Sequence, residues 1–135
     1  MREIKFRAWD KENKRMWNDV QKAYDWIILD SNEYDPIPAN NFWEMICDDN
    51  FILMQYTGLK DKNGVEVYEG DIVSFGQKRK DNSMRNYLVK WYIDRFGMQN
   101  PRSRDYLCFD NYPERQRNDN CEVVGNIYKN KELLK

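Results

Sequence analysis

One block, residues 55–75, QYTGLKDKNGVEVYEGDIVSF, constrains the fold more than any other part of the chain. It sets two glycine-bearing turns between short apolar runs. FILMQYTG (51–58) reads as a strand ending at Gly58. In DKNG, Asn63-Gly64 is the leading two-residue signal for a type I′ hairpin, because both residue types tolerate positive φ. VEVY then alternates with a period of two, EGD makes a second turn, and DIVSF continues as a strand. The acids of this block, Asp61, Glu66, Glu69 and Asp71, have two readings. Gathered on a loop they would supply oxygens to a hard cation. However, DKNG puts its glycine at the fourth position, where a calcium loop has it at the sixth, and no glutamate stands at the twelfth. The turn reading is favoured: Asp61 accepts backbone N–H bonds in the first bend, Gly70 supplies positive φ in the second, and Asp71 caps it.

The same punctuation runs through the rest of the chain. EIKFRAWD alternates, with Ile4, Phe6 and Ala8 on one face and Lys5, Arg7 and Trp9 on the other. DKENK turns and RMWNDV returns, which predicts an N-terminal hairpin. YDWIILD is a third short apolar run. EYDPIPANN is a loop, since each proline biases its predecessor away from helix. NNFWEMI predicts a short helix capped by Asn40 or Asn41, with Phe42, Trp43, Met45 and Ile46 on one face. YLVKWYIDRF reads as one long strand and FGMQNPRSRD as the loop after it. YLCF and EVVGNIY are the last strands, and NKELLK closes with a helical turn capped by Asn130. Short strands with turns about every ten residues predict a small barrel or sandwich. A sheet closed from about 51 to 128 would leave no exposed edge.

Composition decides whether such a chain folds at all. Mean hydropathy is −0.99, a value that suits disorder. Yet 15% of the 135 residues are aromatic, and 22 basic residues balance 23 acidic ones. Rings bury on the order of 150 Å² or more each, so they supply the core that hydropathy scales undercount. The net charge of −1 gives no whole-molecule field for phosphates. The three cysteines, Cys47, Cys108 and Cys121, are widely spaced and histidine is absent. That pattern fits neither a disulfide framework nor a zinc site, and it excludes histidine-based triads. A thiol nucleophile would need a lysine or carboxylate base. No leader-like apolar segment opens the sequence and no run is long enough to span a bilayer, so the expected location is cytoplasmic, with reduced thiols and no membrane.

At LMQYTGLKDKNGVEVYEGDIV the sequence resembles the YopX family of bacteriophages and prophages. REIKFRAWDKENKRM resembles that family's opening hairpin, and EVVGNIYKNKELL its closing strand and tail. The resemblance implies a mainly β (α+β) fold, with an SH3-like barrel in the C-terminal half and an irregular N-terminal lobe. It also implies a phage or prophage origin and a bacterial host cell. It brings no catalytic residue with it. The expected division is an N-terminal lobe at 1–50, holding the hairpin and the short helix, and a barrel at 51–135, together one cooperative unit.

Three sets of residues are candidates for function. Asp61, Asn63, Gly64, Gly70 and Asp71 are expected to be structural turns. Lys78, Arg79, Lys80, Arg85, Arg102 and Arg104, in loops 78–85 and 102–104, are the candidate nucleic-acid surface, with Tyr87, Trp91, Tyr92 and Tyr106 as stacking neighbours. Asp81, Asp94 and Asp105 dilute that patch. Trp9, Trp17, Trp26 and Trp43 are the candidate protein interface or self-association surface. Adjacent Asp48 and Asp49 are the weakest case for a carboxylate hydrolase, since neighbours on an extended chain point apart. The expected function is a non-enzymatic accessory module acting through protein contact, with nucleic-acid binding second and hydrolysis third. Neither a metal nor a cofactor is expected.

Overall fold

The computed structural model describes residues 3–22, 42–76, 79–83, 85–103, 105–109 and 120–135, with backbone only for 42–44. Trp26, Lys78, Arg104, the proline-bearing segment and the caps at Asn40 or Asn41 lie outside the described residues, as does the side chain of Trp43. The chain is mainly β, and divides into two compact units at 1–56 and 57–135.

In the first unit, β1 (Phe6–Asp10) turns through DKENK into β2 (Arg15–Trp17), as the alternation predicts. β1 also pairs antiparallel with β3 (Phe51–Lys60), from Phe6 opposite Gln55 to Asp10 opposite Phe51. As the central strand, β1 is buried on both faces from Arg7 to Asp10, so the expected polar face is not a wet one. α1 (Phe42–Cys47) forms where predicted. Its face is narrower than expected: Met45 is fully buried, whereas Ile46 is 45% exposed. The core of this unit gathers Ala8, Val20, Met45 and Phe51, with Phe6, Trp17 and Leu53 against it.

β3 continues into the second unit, where it neighbours β4 (Glu66–Tyr68). A five-stranded antiparallel sheet follows, in the order β8-β7-β6-β5-β9. Its strands are β5 (Asp71–Phe75), β6 (Asn86–Tyr92), β7 (Arg95–Gln99), β8 (Tyr106–Cys108) and β9 (Cys121–Asn126). The sheet curls into a half-barrel over Val67, Val73, Phe75, Val89, Phe96, Met98 and Cys121. Val124 is the extra residue of a bulge, since Ile72 faces Gly125 and Val73 faces Val123.

The expected closure is made differently. β9 lies at the edge of the five-stranded sheet, and the 61–62 turn meets it there. The Lys62 N–H donates to the Cys121 carbonyl at 2.9 Å, and the Val123 N–H donates to Asp61 Oδ2 at 2.9 Å. A turn and a carboxylate thus occupy backbone groups that would otherwise present an open edge.

One predicted strand is really two. YLVKWYIDRF breaks at Ile93–Asp94 into a two-residue hairpin loop, with Tyr92 opposite Arg95. FGMQ, expected as loop, is β7. The chain closes with a 3-10 helix, Lys131–Leu134. Asn130 occupies its cap position, but its side chain accepts the Asn126 N–H at 3.2 Å instead of capping the helix.

Candidate functional site

Two acids of the central block, Asp61 and Asp71, are spent on the backbone. Asp61 is 4% exposed. Its Oδ1 accepts the N–H groups of Asn63 (2.8 Å) and Val65 (2.9 Å), and its Oδ2 serves β9. The Gly64 N–H donates to the Asp61 carbonyl at 3.0 Å and the Asp61 N–H to the Val65 carbonyl at 2.8 Å. Gly64 has φ +80°, but Asn63 is not among the positive-φ residues. The loop is therefore a three-residue turn ending in a left-handed glycine, not the expected type I′ pair. In the second bend Gly70 has φ +85° and Asp71 Oδ2 accepts the Tyr68 N–H at 2.8 Å. Glu66 accepts the Tyr68 hydroxyl at 3.3 Å. Among the described residues no group of three or more acids, cysteines or histidines converges as a metal site. Asp48 and Asp49 are both exposed, and Asp48 accepts the Asn50 N–H at 2.9 Å.

The two basic loops meet. Arg79, Arg85 and Arg102 line one groove of about 290 Å³, together with Asn86, Asn100 and the C-terminal 3-10 helix. Lys80 is exposed and does not line it. The 79–83 loop repeats the geometry of 61–65: the Arg79 N–H donates to the Ser83 carbonyl (2.8 Å) and the Asn82 N–H to the Arg79 carbonyl (3.0 Å). Asn82, at φ +66°, stands where the other loop has its glycine. Asp81, which the sequence sets against the patch, accepts the Ser83 hydroxyl (2.6 Å) and N–H (3.0 Å). The Ser83 bonds, with the neighbouring Arg79 charge, hold its carboxyl below the usual range.

A second surface emerges at the β6–β7 turn. Trp91, Tyr92 and Ile93 are 42%, 50% and 81% exposed. Ile93 has φ +57° while Asp94 does not share the positive sign, and a positive φ at the first position of a two-residue hairpin loop ordinarily calls for glycine. The indole N–H of Trp91 donates to the Ile93 carbonyl at 3.1 Å, and the ring meets Phe96 edge-on at 4.6 Å. Tyr92 lies 4.4 Å from the Tyr106 ring. Tyr106 covers Gly97, where a Cβ would stand 2.6 Å from the ring, and donates its hydroxyl to the Lys90 carbonyl at 2.7 Å. Burial, then Cys108 and Tyr92, push the Tyr106 phenol up to about 12.

Of the tryptophans singled out as an interface, Trp9 and Trp17 are described and lie in the first unit. Trp9 is 5% exposed, within the first unit. Trp17 is half-buried, donates to Asp10 Oδ2 at 3.4 Å, and carries the Arg15 guanidinium 3.9 Å over its ring. Cys121 is buried, and burial followed by Asp61 and Asp71 pushes its thiol up to about 12. Cys108 is half-buried and Cys47 exposed. Two features escaped the sequence reading. The turn at Ile93 carries no glycine or asparagine to announce it. The tail Leu133–Lys135 is a wall of the basic groove through long-range placement alone.

No helix among the described residues is long and apolar enough to cross a membrane. A comparison with curated proteins returned no match. Among solved structures, the crystal structure of protein EF1440 from Enterococcus faecalis is similar, with a TM-score of 0.65 and 29% identity over 100% of both chains. The family model described as YopX protein matches residues 5–135, including the opening hairpin, both central turns and the closing strand. The chain belongs to the YopX family.

Proposed function

We propose that this protein is a phage- or prophage-encoded accessory module that works in the bacterial cytoplasm by docking a partner protein on the tip of its β6–β7 hairpin. The observation that carries this reading is Ile93, which is 81% exposed and left-handed in backbone conformation. A β-branched residue in that region costs on the order of 1–2 kcal/mol, and glycine would avoid the cost. An apolar side chain held in water by a strained turn has no folding role to justify it, and such strain concentrates where a protein meets a ligand. Trp91 and Tyr92 beside it are residue types that dominate binding hot spots. The tip is convex, so its complement is an apolar cleft on the partner. A small barrel of the SH3 kind serves here as the rigid support for the tip.

The test is Ile93→Gly. It should raise the melting temperature, by an amount corresponding to about 1 kcal/mol, while abolishing capture of the partner from prophage-induced cells. Trp91→Ala should abolish capture as well. A variant that captures the same protein as the wild type, or that melts lower than it, would sink the reading.

A further inference from the structure

We infer that the groove between the 79–85 loop, the 100–102 loop and the C-terminal 3-10 helix is a binding site for the phosphate of a nucleotide or an oligonucleotide, separate from the hairpin tip. The chain as a whole carries a net charge of −1. The groove runs against that balance: Arg79, Arg85, Arg102 and Lys135 line it, and Asp81 is the only acidic side chain among its described lining residues. That carboxylate is already engaged by Ser83 through both its hydroxyl (2.6 Å) and its N–H (3.0 Å). The cations are less occupied. The guanidinium groups of Arg79 and Arg85 make no hydrogen bond or ion pair to any described residue. Arg102 spends one donor on the main-chain oxygen of Lys135, the last residue of the sequence, at 3.3 Å, and keeps its other donors open. Guanidinium forks left with open donors around one cavity match the tetrahedral oxygens of a phosphate better than a single carboxylate.

The supports of these arginines are fixed. Asn100 Oδ1 accepts the Arg102 N–H at 2.9 Å and so shapes the loop that carries this side chain. Asn86 donates to the Leu133 carbonyl at 3.0 Å and ties the tail to β6. The Arg85 carbonyl accepts the Phe75 N–H at 3.1 Å, which anchors the start of β6 to the end of β5. The cavity, about 290 Å³, has room for more than a bare ion. Pro101, Leu133 and Leu134 give it an apolar flank, on which a sugar or base can lie while the phosphate meets the arginines. The sequence places the basic residues in two loops more than fifteen residues apart, and only the sheet brings them to one cavity.

The experiment is a titration of the full chain, by calorimetry at 50 mM salt, with four probes: a single-stranded DNA 12-mer, adenosine monophosphate, inorganic phosphate and an oligoglutamate peptide. The expected result is binding of the 12-mer, of the mononucleotide, or of both. Mononucleotide binding as tight as the 12-mer assigns the groove to free nucleotides, and preference for the 12-mer assigns it to a strand. Engagement of three phosphates would weaken 12-mer binding about 20-fold between 50 and 200 mM salt. Arg85→Gln and Arg102→Gln should each weaken binding about tenfold with an unchanged melting temperature, whereas Lys11→Gln in the first unit should leave it unchanged. The inference is overturned by any of three results: neither nucleotide probe binds, oligoglutamate or inorganic phosphate binds as tightly as they do, or Lys11→Gln weakens binding as much as Arg85→Gln.

Discussion

The carboxylate of Asp10, fully buried, accepts the Asn13 N–H (3.0 Å) and side chain (2.8 Å), the Asn50 side chain (2.8 Å) and the Trp17 indole N–H (3.4 Å). Burial by itself would raise its pKa, but these bonds outweigh burial and bring it from 3.8 down to about 2. The folded pKa is depressed, so the stabilisation is complete above the unfolded value near 3.8 and is lost as pH falls through about 2. Asp10→Asn should therefore cost about 1–3 kcal/mol at neutral pH, because one oxygen that accepts becomes an amide that donates. The cost should shrink as pH falls from 4 to 2, where the wild type protonates. Melting curves of the two proteins across that range check this, and parallel curves would count against it. Asp10 and Asp61 were both legible in the sequence as turn residues. That Asp10 also reaches Asn50, and Asp61 also reaches Val123, was not, because these partners stand 40 and 62 residues away.

At the scale of elements, Gly97 shows how one position holds a hairpin together. It sits in β7 between neighbours that leave no room for a side chain: a Cβ would lie 2.6 Å from both the Leu107 carbonyl oxygen and the Tyr106 ring. An ordinary strand glycine replaced by alanine gains stability. Here Gly97→Ala should instead lose about 1–3 kcal/mol by overpacking. It should also dislodge Tyr106, and the phenol, now pushed up to about 12, should titrate closer to its ordinary value of 10.0. A spectroscopic titration of the tyrosines alongside thermal melts separates this from simple loss of packing. The same hairpin is where the sequence misleads most. YLVKWYIDRF keeps a β-rich composition straight through the bend, because Ile93 occupies a position that turn chemistry assigns to glycine. The bend rests on the pairing of β6 with β7 and on Tyr106, whose hydroxyl meets the Lys90 carbonyl; no local signal encodes it.

For the molecule as a whole, two apolar clusters stand in the two units, and the ten residues of β3 run continuously from one unit into the other. The shared strand predicts that the two units melt together. Cys121 offers a chemical probe of this, since it is 3% exposed with its thiol pushed up to about 12, whereas Cys47 is exposed. Alkylation at pH 8 should label Cys47 at once and Cys121 only on unfolding. Cys121 labelling and the tryptophan fluorescence should change at one denaturant midpoint, and two separated midpoints would mean that the units fold independently. Short strands, the turns at 61–64 and 69–71, the hairpin at DKENK and the aromatic core were all written in local order, because alternation and turn chemistry act over a few residues. Where β9 lies beside β5, that β9 is finished by a carboxylate instead of another strand, and that three arginines from separate loops share a cavity were decided only in three dimensions. Those features depend on which distant segments the sheet brings together, and pairing between remote strands is set by the burial of the whole core, not by any neighbouring residue.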